Sequence, residues 1–170
     1  MNLLDILSGG DRRMVRGVEE VIEQVRVQPA LFDQLIAGMM HDDPLVRMRC
    51  ADAAEKLTAD HPDWLQRHKR ILLNTISQSE QQEVRWHVAQ MLPRLRLTKR
   101  EREQTLRVLM DFLQDKSRIV QAFALQAMAD LCEQDAALKP QVVAIILTHS
   151  TQGSPAVKAR CRKLLKRFDA

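Results

Sequence analysis

Apolar residues recur along this chain at helical spacing inside a longer cycle. A valine followed by a basic or polar residue marks each turn of the cycle: Val46-Arg47, Val84-Arg85, Val120-Gln121 and Val157-Lys158. The valines lie 84−46 = 38, 120−84 = 36 and 157−120 = 37 residues apart. Four, eight and eleven residues beyond each stand Cys50, Ala54, Leu57; Val88, Leu92, Leu95; Ala124, Met128, Leu131; and Cys161, Leu165, Phe168, all apolar. At 3.6 residues per turn these positions share one face, so an amphipathic helix starts at each anchor.

A second apolar helical pattern precedes each anchor: Leu31, Leu35, Met39; Leu65, Leu72, Ile76; Leu106, Leu109, Leu113; and Val142, Ile145, Ile146. Pro29 and Pro140 suit first helical turns, and Thr98-Lys99-Arg100-Glu101 reads as a capping box. Asp42-Asp43-Pro44, Ser79-Glu80, Asp115-Lys116-Ser117 and Gly153-Ser154-Pro155 supply turn and N-cap chemistry between the two helices. The same template fits the start of the chain. There Met14, Val18, Ile22 and Val25 form the stripe, Ser8-Gly9-Gly10-Asp11 is the turn, and Leu3 and Leu7 lie on a clipped first helix. The pattern predicts five helix-turn-helix units, approximately 1–28, 29–60, 61–97, 98–134 and 135–170, stacked as one domain because no unit buries its apolar face alone.

The acidic turn followed by Val-Arg and by Ala and Leu at helical spacing, as in Asp42-Asp43-Pro44-Leu45-Val46-Arg47 with Ala51, Ala54 and Leu57, resembles HEAT and HEAT-like armadillo-type repeats. The likeness covers nearly the whole chain and loosens in the last unit, where Lys158 replaces the arginine and no acid precedes the valine. It implies an all-α fold and a right-handed α-α superhelix of antiparallel helix pairs, an architecture that hosts many unrelated tasks. It also implies that the second helix of each pair lines a concave face.

Positions two, five, six and nine after each anchor point away from the stripe. They supply Arg16, Glu19, Glu20 and Glu23; Met48, Ala51, Asp52 and Glu55; Trp86, Ala89, Gln90 and Pro93; Ala122, Leu125, Gln126 and Ala129; and Ala159, Arg162, Lys163 and Lys166. The groove so drawn is acidic at one end, apolar in the middle and basic at the other. The net charge of +4 conceals this polarity: residues 1–85 hold 11 Lys and Arg against 14 Asp and Glu, and residues 86–170 hold 15 against 8. Met48, Trp86 and Leu125 are the expected apolar anchors for a partner segment, and Arg162, Lys163 and Lys166 the expected receivers of its acids. The same cations also suit a solvated terminal cap. Trp64, after His61-Pro62-Asp63, reads as a core or staple residue, and Arg47 and Arg85 as braces pairing with acids of nearby turns.

Composition narrows the function further. Only 4% of residues are aromatic and none is tyrosine, which argues against a β-sandwich or barrel. The three cysteines, Cys50, Cys132 and Cys161, are widely spaced, form no CxxC and fit a reducing, cytoplasmic setting. No apolar run is long enough to span a bilayer. No phosphate-loop or nucleophile-elbow motif is present, the five histidines are scattered, and no His-Glu dipeptide occurs, so neither cofactor, metal nor catalysis is expected. The reading is a non-catalytic scaffold for another protein or peptide. Nucleic-acid binding, including an alkylated-base glycosylase resembling HEAT-like repair enzymes, is one alternative, disfavoured by the acidic end of the groove. Head-to-tail self-association through the opposed charged ends is another.

Overall fold

The computed structural model describes residues 2–11 and 17–169. Met14 and Arg16, placed by the repeat pattern on the first unit, lie outside them. The described residues form ten α-helices joined by turns and short 3-10 segments, with no strand among them. The chain divides into two compact units, 1–95 and 96–170.

In the first unit α1 (Leu3–Leu7) and α2 (Val18–Val27) precede α3 (Phe32–Gly38) and α4 (Pro44–Asp60). After them come α5 (Lys69–Asn74) and α6 (Gln82–Met91). Asp43 caps α4 by accepting from the Leu45 amide at 2.8 Å, and Pro44 fills the first helical position, where its missing N–H is harmless. The outer helix of the third repeat is less regular than the apolar spacing predicts. Pro62–His68 winds as a 3-10 segment, α5 follows for little more than a turn, and Ile76–Gln78 is again 3-10. Leu65, Leu72 and Ile76 are nevertheless all buried, so the stripe survives the change of winding. Pro93 stops α6 at Met91 and a 3-10 turn, Leu92–Arg94, completes it.

Gly17 enters α2 at φ +79°, and a Cβ there would stand 2.7 Å from the Ile6 carbonyl oxygen, so both conformation and space call for glycine. Packing runs through α4, which touches α1, α2, α3 and α6.

The second unit holds α7 (Lys99–Phe112), α8 (Arg118–Gln134), α9 (Lys139–Gln152) and α10 (Pro155–Asp169). The predicted capping box is present: the Thr98 hydroxyl accepts from the Glu101 amide, and the Glu101 carboxylate accepts from the Thr98 amide at 2.7 Å. Helix α8 packs against α7, α9 and α10, and α9 against α10.

The anchor valines Val46, Val84, Val120 and Val157 are buried in both units, as are Cys50, Val88, Ala124 and Cys161 four residues on. Each buried aliphatic side chain contributes roughly 1.5–3 kcal/mol. The recurring stripe is therefore the principal source of cohesion within each unit.

Candidate functional site

The inner-helix positions in the second, third and fourth repeats show a buried arc wider than one stripe. Beyond positions zero, four, eight and eleven, the fifth position is also enclosed: Ala51, Ala89 and Leu125 are all at 0% exposure. Helix α4 is gripped by α2, α3 and α6, and α8 by α7, α9 and α10, so side chains pointing sideways are covered as well as those pointing at the outer helix. Leu125 is consequently a core residue of the second unit, and the expectation of an exposed anchor there is corrected. Arg162, at the same position on α10, is exposed.

The second position stays open. Met48 on α4 and Trp86 on α6 are half-buried, on two helices that pack together. The Trp86 ring lies 5.7 Å from the His87 ring, inclined by 59°. Beside them are the half-buried carboxylates of Asp52 and Glu55 and the exposed Lys56. Asp52 Oδ2 lies 3.1 Å from Lys56 Nζ, and its Oδ1 is 3.9 Å from His87 Nε2. Burial holds His87 well below the usual imidazole range, at about 4, against the opposing pull of Glu55 and Glu83; it is a neutral ring whose Nδ1 has no hydrogen-bond partner among the described residues.

Most of the acidic residues that the repeat pattern places at one end are neutralised within the unit. Glu19 meets Lys56 at 3.3 Å, Glu23 meets Arg26 at 2.6 Å, and Glu20 accepts from the Gln24 amide group at 3.4 Å. Glu55 meets Arg94 at 2.5 Å, and the same guanidinium donates to the Glu55 carbonyl and the Thr58 hydroxyl. A rule emerges at the tenth position after the anchor. Lys56, Arg94 and Arg167 stand there, and each pairs with an acid of the preceding inner helix; Arg167 joins Asp130 at 2.6 Å and also Glu133. Surface pairs of this kind stabilise weakly, but they remove the acids from the field a partner would meet.

The basic residues of α10 differ. Arg162, Lys163 and Lys166 are exposed and make no ion pair among the described residues. Arg160 instead donates to Gln126 at 2.9 Å and lies over Phe123, 5.5 Å from the ring centre.

Arg47 and Arg85, expected as braces through acids, both reach back to backbone carbonyls of the turn before their helix. Arg47 Nη1 donates to the His41 carbonyl at 2.7 Å and the Asp42 carbonyl at 3.0 Å, and its Nε to the Gln81 side chain. Arg85 donates to the Ser79 carbonyl and Gln121 to the Asp115 carbonyl, both at 2.7 Å. In all three repeats the acceptor lies six residues before the donor, which is the reach from the first helical turn back over the loop. Trp64 stacks on His61 at 4.5 Å and meets Phe32 edge-on at 5.6 Å, half-buried beside a shallow cleft of about 380 Å³ lined by Pro29, Ala30, Asp63 and Arg67.

Two residues escape sequence reasoning. Arg49 is at 0% exposure and donates to the carbonyls of Leu7, Gly9 and Asp11, tying the turn after α1 to α4. His87, on the next inner helix, shares its register three residues past the anchor valine. The signal for both is a polar side chain beside the stripe, which periodicity alone scores as solvent-facing. Cys50 and Cys161 are buried, and burial pushes the Cys50 thiol up to about 12, so it is held as a neutral packing group.

Helix pairs with a shared anchor valine, a shared turn brace and a shared clamp position define a helical-repeat protein. The HEAT repeat domain matches residues 10–168, and the chain belongs to that family. Its fold is similar to the crystal structure of an engineered protein, a Northeast Structural Genomics Consortium target, with a TM-score of 0.61 at 16% identity over 98% of this chain and 78% of that one. No curated protein matches the sequence. Among the described residues no helix is long and apolar enough to cross a membrane, and no cluster of three or more His, Cys, Asp or Glu is placed to hold a metal ion.

Proposed function

We propose that the chain is a non-catalytic scaffold that binds a segment of another protein on the surface of its inner helices, with Met48 and Trp86 as the apolar anchors in the first unit. Membership of the HEAT family supports a protein-interaction role. The observation that carries the choice of surface is the half-exposed indole of Trp86, on a helix where positions four, five, seven and eight are all buried. Tryptophan is the residue type most enriched among interface anchors, where truncation commonly costs about 2 kcal/mol or more, roughly 30-fold in affinity. Asp52, Glu55 and Lys56 supply a polar rim whose charges are already paired, so the surface selects for apolar contact ahead of charge.

The test is capture of partners from a lysate by the tagged chain, comparing the unaltered protein with Trp86→Asp combined with Met48→Asp and with the milder Trp86→Ala. Partner recovery should fall at least tenfold with helicity unchanged by circular dichroism. Full recovery by a folded double variant refutes the proposed surface.

A further inference from the structure

On α4 and α10, side chains three residues past the anchor face the preceding helix pair: Arg49 reaches back to Leu7, Gly9 and Asp11, and Arg160 to Gln126. Position seven, on the same flank, is buried throughout, as Ala53, Met91, Ala127 and Leu164. Positions five and eight face the following pair. Ala51 and Ala54 on α4, which α6 packs against, and Leu125 and Met128 on α8, which α10 packs against, are all at 0% exposure. On α10 these positions are Arg162, exposed, and Leu165, half-buried. This flank is open among the described residues.

The outer helix of the same pair is uncovered too. Helix α9 carries six consecutive apolar residues, Val142 to Leu147, but buries only Val142 and Ile146. Val143 and Ile145 are half-buried and Leu147 is 51% exposed. One repeat earlier, at 143−37 = 106 and 145−37 = 108, Leu106 and Val108 of α7 are only 5% and 9% exposed. Two apolar positions covered on α7 are therefore partly bare on α9, whereas Leu147 answers to Met110, which is also exposed, at 44%.

Charge indicates what covers it. Arg162, Lys163 and Lys166 are exposed without an ion pair among the described residues, whereas Arg160 and Arg167 are engaged on α8. Bared aliphatic residues and unneutralised cations on the same helix pair complement a helix whose apolar stripe is flanked by Asp and Glu. A second copy docking flank to flank would set Arg162 and Lys166 against themselves. Nucleic acid would use the cations but gain nothing from the aliphatic strip, and Phe168, the aromatic ring of α10, is already engaged by Lys139 at 5.5 Å.

We propose that the open flank of the α9–α10 pair docks an acidic amphipathic helix of a partner protein. Val143, Leu147 and Leu165 take its apolar stripe, and Arg162 and Lys166 take its carboxylates. The inference shares with the scaffold reading only the premise of a protein partner, since it concerns different residues in the other unit.

The experiment places a photo-crosslinking amino acid at position 147 of the full chain, with position 110 on α7, also exposed, as the control. Cross-linked segments are sequenced by mass spectrometry. Those joined to position 147 should carry apolar residues at helical spacing with flanking Asp or Glu. Their yield should fall at least tenfold with Arg162→Glu plus Lys166→Glu, and at least threefold with the milder Arg162→Gln plus Lys166→Gln. Cross-links confined to a second copy, to nucleic acid or to segments without acidic residues overturn the proposal. So does a yield that matches the position-110 control or ignores the charge reversal. Trp86→Asp should leave these cross-links intact. Capture that depends on Trp86 without cross-links at 147 would refute this proposal while preserving the scaffold reading.

Discussion

Replacing Arg49 by methionine removes one buried guanidinium while keeping the volume of its stem. The lost bonds run to the carbonyls of Leu7 at 2.7 Å, Gly9 at 2.6 Å and Asp11 at 3.1 Å. Bonds to a charged donor contribute about 1.5–3 kcal/mol each, but the sum overstates the loss. Gly9 and Asp11 are exposed and their carbonyls recover water, whereas the carbonyl of fully buried Leu7 does not. The variant also escapes the desolvation cost of burying a cation. The net loss should be about 3 kcal/mol, read as a fall in the urea midpoint at constant slope. Amide exchange in α1 should accelerate before exchange elsewhere in the unit. Arg49→Lys is the discriminating companion: it keeps the charge but not the planar fork that reaches three acceptors, and should recover no more than about half the loss. A methionine variant within about 0.5 kcal/mol of the unaltered chain, or a lysine variant equal to it, would refute the view that Arg49 ties α1 to α4.

His87 gives the first unit a defined response to acid. Its folded pKa of about 4 lies below the ordinary 6.5, so the unfolded chain binds the extra proton, and stability present above pH 6.5 is lost as the pH falls toward 4. The full difference is about 3 kcal/mol. His87→Gln should flatten that part of the stability-pH curve measured by denaturant titration, and a curve of unchanged slope would contradict the assignment. Gly38→Ala places a methyl group 2.4 Å from Cys50 Sγ and 2.6 Å from Leu4 Cδ2. Although alanine is favoured in helices by about 1 kcal/mol, the clash should outweigh it and lower the thermal midpoint; a rise would show that α1 and α4 yield easily.

The elements were legible because one rule repeats. Val46, Val84, Val120 and Val157 are each at or below 1% exposure, and the capping box at Thr98 and the proline start of α4 stand where spacing puts them. The surface was less legible, for a geometric reason. A stripe read from one helix in isolation assumes one neighbour, but α4 and α8 each have at least three, so Leu125 at the fifth position is core rather than groove. Charge misleads in the same way. Glu19, Asp52 and Glu55 mark an acidic end when counted along the chain, yet Lys56 and Arg94 fold onto them from neighbouring turns. Arg162, at the same fifth position on α10, is exposed because it stands on a flank that no described helix covers.

The clamp at the tenth position bears on how this array could lengthen or shorten. Helices α4 and α10 and the 3-10 turn that completes α6 carry a cation there, but α8 carries Asp130, the acceptor for Arg167. A tandem duplication of the α7–α8 segment would set the new Asp130 against the acids of the old one, whereas duplicating α9–α10 would bring a basic tenth residue against Arg162, Lys166 and Arg167 at the positions where other repeats hold the acceptor acid. The pairs resemble one another in backbone and core but are not exchangeable parts: α3–α4, α5–α6 and α9–α10 are each addressed to the inner helix before them by the sign of a single side chain.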